Sequence, residues 1–320
     1  ESGYSLYVGI PFCPSTCLYC SFTSYPISAY REYADHYLDA LIREIHYIGE
    51  QYRDREMISL YVGGGTPTTL SPEQLERLFG ELKRCFDFGR VREITVEAGR
   101  PDSITAEKLS VLSENGVTRI SINPQTMNND TLRKIGRNHT AEDVADSFHA
   151  ARKAGFDNIN MDTICGLPGE GIRELETTFK ALGELEPDSI TVHALAIKRS
   201  APLNQMRDQF SCGADDEMIR FAQRACFDLG MEPYYMYRQK NIPGNFENTG
   251  FSLEEKECLY NILIMEELHD IIAAGAGASS KIVGGRRNIQ RVENLKDVRQ
   301  YTERIEEMIL RKDKLLKSMC

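Results

Sequence analysis

A chain of 320 residues, 41% of them hydrophobic, is long enough for one large domain or two ordinary ones and for a sizeable core. Its formal net charge of −10 lacks the basic footprint of a nucleic-acid-binding protein, so no nucleic-acid partner is expected. No apolar run approaches the ~18 residues of a membrane span, and no signal peptide opens the sequence, so a chain with no membrane span is expected in the cytoplasm.

Short β-rich runs alternate with helical patterns. Residues 6–10 read as the first strand, followed by a helix over 33–51 with Tyr37, Leu38, Leu41, Ile45 and Ile48 at helical spacing. Residues 57–62 form the second strand. Ser71-Pro72-Glu73-Gln74 opens the next helix, with Ser71 as N-cap and Gln74 reaching back to it. Strands are expected at 93–98, 119–123, 158–164 and 189–196, with helices at 105–115, 130–135, 141–154, 173–185 and 215–229. Six strand–helix units in unbroken alternation imply right-handed crossovers and a parallel sheet. The fold expected is α/β, a partial, about six-unit TIM-like barrel, with functional groups at the C-terminal ends of its strands.

After residue 229 the pattern changes. Residues 231–248, rich in Tyr, Pro, Gly and Asn, read as loop with one strand at most. Residues 253–272 read as helix, 273–280 as a small-residue segment, and 294–310 as an amphipathic helix with Val298, Tyr301, Ile305 and Ile309 on one face. The charged tail 311–317 is expected to fray. This divides the chain into a barrel, residues 1–230, and a C-terminal α+β extension, residues 231–320, that covers the barrel mouth and substrate side.

Nine cysteines, an odd and mostly scattered set, do not form a disulfide framework. Three of them, Cys13, Cys17 and Cys20, stand at C-x3-C-x2-C spacing directly after the first strand. Zinc usually takes four ligands in two pairs, and no second pair is present. Three thiolates suit a cubic 4Fe–4S cluster whose fourth iron has no cysteine and is open to a substrate or cofactor. Phe12, Tyr19 and Phe22 would exclude water from it. Gly63-Gly64-Gly65-Thr66-Pro67 follows the second strand, where glycines let the backbone approach a ligand; it lacks the Lys-Ser/Thr ending of a P-loop. Glu97 ends the third strand and Gln125 the fourth. Arg137 lies in Gly136-Arg137-Asn138-His139, and Asp162 stands near the end of the fifth strand, before the turn Gly166-Leu167-Pro168-Gly169. His139 and His193 are assigned no catalytic role.

Taken together, Leu6–Cys13 with Cys17 and Cys20, then Gly63–Pro67, Thr95–Ala98, Gln125, Ile135–Thr140 and Asp162–Gly169, resemble the oxygen-independent coproporphyrinogen III oxidase family of radical S-adenosylmethionine (SAM) enzymes. The resemblance runs from Tyr4 to Ile197, with a weaker echo at Gly275–Ser280. The run from Tyr237 to Asn248 is similar to the HemZ-type subgroup, whose members carry an N-terminal extension, in keeping with a first residue that is Glu1 and not Met.

The resemblance implies a radical SAM barrel with Cys13, Cys17 and Cys20 as ligands of the 4Fe–4S cluster. It implies SAM contacts at Tyr7, Gly64, Gly65, Thr66, Glu97, Gln125, Arg137 and Asp162, and at the weaker matching positions Ala196 and Ser279, for one or two SAM molecules. It further implies reductive cleavage of SAM, with one electron from a donor such as flavodoxin or ferredoxin. The resulting radical takes a hydrogen from a propionate of coproporphyrinogen III or a related tetrapyrrole, and loss of CO2 and one electron leaves a vinyl group. Arg31, Arg238 and Lys240 are the cationic candidates for the substrate's carboxylates, and Tyr234, Tyr235 and Tyr237 for a porphyrin face.

Two positions depart from the family pattern. Gly9 stands where a His is frequent, and Ser21-Phe22-Thr23 follows Cys20 without the further cysteine of the authentic oxidase. The chain has no Trp, and so cannot carry the His-Asn-x-x-Tyr-Trp string of the heme-chaperone relatives. The alternatives are therefore a heme-binding or heme-chaperone protein that retains the cluster, or another radical SAM reaction such as methyl transfer or anaerobic heme degradation.

Overall fold

The structure, a computed structural model, describes residues 3–20, 24–197, 201–209, 212–238, 246–284 and 288–317. Six strands carry the alternation read from the sequence: β1 (Tyr4–Ile10), β2 (Met57–Gly64), β3 (Glu93–Gly99), β4 (Arg119–Ile122), β5 (Ile159–Cys165) and β6 (Ser189–Ala194). They pair in that order, all parallel. Between them run α1 (Ala34–Gln51), α2 (Pro72–Cys85), α3 (Ala106–Glu114), α4 (Asn129–Lys134), α5 (Ala141–Lys153) and α6 (Ile172–Leu185), and α7 (Asp216–Asp228) follows β6. The α/β, TIM-like parallel run expected from the sequence is present. The cap of α2 forms as expected: Ser71 accepts the Gln74 N–H, and the Gln74 side chain accepts the Ser71 N–H.

Side-chain alternation divides the sheet into two faces. Leu6, Val8 and Ile10, then Leu60 and Val62, Val96, Ile120 and Ile122, Met161 and Ile190 are fully buried in one apolar core with Tyr37, Leu38, Leu41 and Ile45 of α1. The opposite, inward face is polar: Ser5, Tyr7, Ser59, Tyr61, Glu97, Arg119, Asn160, Ser189 and Thr191. These groups satisfy one another across strands, as in Ser5 Oγ to Ser59 Oγ at 2.7 Å, Arg119 Nη2 to Ser189 Oγ at 3.0 Å and Asn160 Nδ2 to Ser121 Oγ at 3.1 Å.

Residues after 231 build onto both ends of this sheet. On one side β7 (Glu232–Tyr237) and β8 (Asn248–Ser252) follow β6 in the order β6-β8-β7, antiparallel. On the other, β9 (Asp270–Ala274) pairs parallel with β1, and β10 (Ser279–Gly284) and β11 (Asn288–Glu293) continue as an antiparallel hairpin.

Three local expectations need correction. Residues 253–272 are not one helix. Only α8 (Leu259–Met265) is helical; Glu255 and Glu267 both take positive φ (64° and 51°), which breaks a helical path, and Asp270–Ala274 is a fully buried strand. Its register beside β1, Tyr4 opposite Asp270 through Val8 opposite Ala274, is a long-range pairing that local pattern does not contain. Residues 231–248 hold the one strand expected there, β7, and β8 begins only at their last residue. The last helix is broken at Arg304 into α9 (Val298–Glu303) and α10 (Ile305–Lys317), and Met308, not Ile309, completes the buried face of Val298, Tyr301 and Ile305. The charged tail does not fray: it is helical to Lys317, and Lys312 is buried against Glu44.

Candidate active site

The strand ends open on a cavity of about 310 Å3. The loop after β1 forms one wall. Phe12–Cys13 pairs parallel with Tyr25–Pro26 in a two-residue strand pair. The Ser15 hydroxyl donates to the Gly136 carbonyl at 3.0 Å and the Leu18 N–H to the Ile135 carbonyl at 3.0 Å, so the turn after α4 pins the loop from the far side. Cys13, Cys17 and Cys20 all line the cavity as free thiols.

The glycine turn after β2 is stitched to the same loop. The Gly65 N–H donates to the Ile10 carbonyl at 2.7 Å and the Thr66 N–H to the Phe12 carbonyl at 2.6 Å. The approach is close enough that a Cβ on Gly65 would lie 2.4 Å from the Phe12 oxygen. Gly64 sits at φ 108°, a conformation that favours glycine. The Thr66 hydroxyl then reaches the Cys13 sulfur at 3.6 Å. From the end of β3, buried Arg100 holds Asp102 in two contacts (3.0 and 2.7 Å), the Ser15 carbonyl and hydroxyl (3.1 and 2.9 Å) and the Cys17 sulfur (3.6 Å). Hydrogen-bond donors thus reach two of the three sulfurs, those of Cys13 and Cys17.

Two carboxylates face the thiols with opposite protonation preferences. Burial pushes the Glu97 carboxyl up to about 7, against the Tyr61 hydroxyl that donates to it at 2.6 Å and with Asp162 adding repulsion. Burial acts on Asp162 in the same sense, but His193, 3.6 Å away, and the Asn160 amide at 2.7 Å outweigh it and hold Asp162 below the ordinary carboxylate range. Arg137 donates to the Asn123 carbonyl at 2.5 Å and the Tyr19 hydroxyl at 3.1 Å. Its Nε is buried without a partner, as is the Nδ2 of Asn248, whose Oδ1 accepts the Ala194 N–H at 2.9 Å. Both residues line the cavity. Orphaned donors at a cavity wall call for an acceptor-rich ligand.

Of the residues singled out in the sequence, Cys13, Cys17, Cys20, Gly64, Gly65, Thr66, Glu97, Gln125, Arg137, Asp162 and Ala196 line this one cavity. Tyr7 lies one layer beneath, its hydroxyl 3.2 Å from where a Cβ on Gly64 would be, in a ring stack with Tyr61 and Tyr260. Gln125 takes φ 69° and bridges to Thr163 of β5. The structure does not bring Ser279, Arg31 or Arg238 to the cavity. Ser279 is exposed at the start of β10. Arg31 is exposed on the turn Arg31–Tyr33, and Arg238 is exposed and paired with Glu247 at 2.8 Å. Lys240 and Ser21-Phe22-Thr23 lie outside the described residues.

The sequence reading missed Arg100, Asn123, His193 and Asn248. Arg100 and Asn123 each directly follow a strand end, the position that located Glu97 and Gln125, and were legible on that ground. His193 stands one residue before the end of β6, where it contacts Asp162 and, through Nδ1, the Tyr237 hydroxyl at 3.3 Å. Asn248 reaches the cavity from β8, and no local signal announces it.

Residues 7–182 match the Radical SAM superfamily. The chain is 42% identical to the oxygen-independent coproporphyrinogen-III oxidase-like protein HemZ of Bacillus subtilis over 98% of its own length and 64% of that protein's. It is 39% identical to the heme chaperone HemW of B. subtilis over 61% of this chain and 51% of that one, so the chain spans less than two thirds of either of these relatives. The heme chaperone HemW of Lactococcus lactis is 32% identical over 96% of this chain and 78% of its own length. The solved coproporphyrinogen III oxidase (HemN) from Escherichia coli, a radical SAM enzyme, superposes with a TM-score of 0.78 at 26% identity over 97% of this chain and 70% of that one.

The cofactors are a 4Fe–4S cluster and SAM. The site's residues fit them: three thiols line one cavity, two of them receiving hydrogen bonds, and orphaned N–H donors line the same cavity. With more than half of its length matched to that superfamily, and with the HemW of L. lactis, 32% identical, covered over 78%, this chain belongs to the radical SAM superfamily, in the group that holds HemZ, HemW and HemN.

Proposed function

We propose that the protein is a radical SAM oxidoreductase that converts propionate side chains of coproporphyrinogen III, or a related porphyrinogen, to vinyl groups without oxygen. The observation that carries this reading is that three thiols, a glycine turn, two carboxylates and two orphaned donors share one cavity at the C-terminal ends of parallel strands. Cys13, Cys17 and Cys20 hold the cluster, and Thr66 and Arg100 steady two of the sulfurs. Gly64, Gly65 and Thr66 hold the methionyl end of SAM. Glu97, Gln125, Arg137, Asp162 and Ala196 supply further contacts to one or two molecules of it. Bound together, the two cofactors supply one-electron reduction and hydrogen abstraction. The polar interior beneath the cavity keeps these groups oriented, and the His193–Tyr237 wall meets the edge of the macrocycle. An acidic electron carrier such as flavodoxin or ferredoxin supplies the electrons. The described cysteines are all free thiols, in keeping with a reducing cytoplasm.

A second reading is a heme-binding or heme-delivering protein that keeps the cluster, favoured by similarity to two proteins named heme chaperone HemW. Anaerobic reconstitution followed by assays for 5′-deoxyadenosine and protoporphyrinogen separates the two. Formation of both products supports the oxidase. No SAM cleavage together with tight heme binding supports the chaperone. Each single Cys→Ala change at positions 13, 17 and 20 is expected to abolish cluster absorbance, and retention in all three would remove the basis of both readings.

A further inference from the structure

The cluster loop has an outer side as well as a cavity side. Cys13 pairs with Pro26, and the chain turns directly from Pro26 into the short helix Ile27–Tyr30 and the turn Arg31–Tyr33. From Phe12, next to Cys13, rings lead outward: Phe12 to Tyr30 at 6.2 Å between centroids, then Tyr30 to Tyr33 at 6.3 Å. The guanidinium of Arg299, on α9, lies over both tyrosines, 5.9 Å from Tyr30 and 5.7 Å from Tyr33. Arg299 and Arg31 are both exposed, with exposed His36 beside them lining the same open hollow. Among the described residues neither guanidinium forms an ion pair.

Among the described residues that line the hollow, Glu32 is the only carboxylate, against the two guanidiniums of Arg31 and Arg299, so the lining itself carries net positive charge. Asp35 and Asp297 flank the hollow and keep their charge, Asp35 accepting from the Gln74 amide and Asp297 from the Tyr25 hydroxyl and the first N–H groups of α9. On a chain of net charge −10, an acidic protein approaching at random is repelled, and this face is where repulsion is relieved. Arginine and tyrosine are also the side chains that most often anchor protein interfaces.

We propose that the face formed by Arg31, Arg299, Tyr30 and Tyr33 docks the protein that reduces the cluster, an acidic one-electron carrier. This rests on the reading of Cys13, Cys17 and Cys20 as cluster ligands. The carrier's cofactor is oxidised by one electron, the cluster is reduced by one, and no atom is transferred. The Phe12–Tyr30–Tyr33 ladder links that face to the residue beside a cluster ligand.

The test uses the reconstituted holoprotein, a reduced acidic flavodoxin as carrier and dithionite as a small reductant, with cluster bleaching followed by stopped flow and complex formation by calorimetry. The double variant Arg31→Glu/Arg299→Glu is expected to lower the second-order rate with flavodoxin about tenfold or more at low salt, to weaken binding in parallel and to flatten the salt dependence. The charge-conserving Arg31→Lys/Arg299→Lys variant is expected to retain most of both. Dithionite reduction is expected to be equal in all three proteins. A flavodoxin rate and affinity unchanged by charge reversal would overturn the docking surface while leaving the cluster reading intact. A wild-type protein that takes up no electron from dithionite would overturn the cluster reading, and this proposal with it.

Discussion

Glu97 and Asp162 stand in one cavity yet favour opposite protonation states, and the cause is their partners and not their depth. Asp162 has a histidine and an amide beside it; Glu97 has one phenol and a neighbouring negative charge. The folded Glu97 holds its proton to about 7, whereas an unfolded carboxyl releases it near 4.5. Between these values the folded chain binds more protons, so this group's contribution is fully present below the lower value and is lost as pH rises through the upper one. Urea denaturation of the cofactor-free protein is expected to show wild type losing roughly 2 kcal/mol more than Glu97→Gln between about pH 5 and about pH 8. Parallel profiles would show that Glu97 is ionised throughout. That Glu97 lies near the end of a strand is plain in Thr95-Val96-Glu97-Ala98; that its carboxyl is hard to ionise follows from its burial, with Asp162, distant in sequence, adding repulsion.

At the scale of elements, the glycine turn meets the cysteine loop backbone against backbone. Gly65 packs on the Phe12 and Ile10 carbonyl oxygens, which a Cβ would meet at 2.4 and 2.9 Å. Neither oxygen can swing aside as a side chain would. Gly65→Ala is therefore expected to part the glycine turn from the cysteine loop, to cost about 2–3 kcal/mol in denaturant unfolding and to lower the iron retained after reconstitution. Gly80, inside α2, is the control, because a Cβ there would meet no atom within 4 Å. Gly80→Ala is expected to stabilise by about 0.5–1 kcal/mol and leave iron content unchanged. Equal effects of the two changes would show that close approach is not what demands glycine at position 65. The run Gly63-Gly64-Gly65 announces such an approach, but the partner surface is visible only once β1 and β2 lie side by side.

At the scale of the molecule, one buried carboxylate ties both ends of the chain together. Glu44 of α1, fully buried, accepts the Gly275 N–H at 2.8 Å, the Tyr301 hydroxyl at 2.6 Å, the Asn294 amide at 2.8 Å and the Lys312 ammonium. It thereby joins α1 to the turn after β9 and to both C-terminal helices. Removing one charge strands the other, so Glu44→Leu and Lys312→Met are each expected to cost about 3–5 kcal/mol. The double variant is expected to cost much less than their sum, as a double-mutant cycle by chemical denaturation would measure. Additive losses would show that the pair is not coupled.

The sequence by itself determined the six strand–helix units, the capping of α2, the cysteine loop and most of the cavity's lining. These are local quantities: hydrophobic period, cap chemistry, ligand spacing and the position just after a strand. Only the tertiary structure decided where residues 232–317 go. Asp270–Ala274 has no pattern that separates a strand from the end of a helix, and it becomes a strand because β1 presents an open edge beside it. Lys312 reads as solvated charge in a basic tail until Glu44, 268 positions away, supplies its partner. Asn248 and His193 reach the cavity for the same reason: pairing free energy and burial between distant segments outweigh what short-range pattern records.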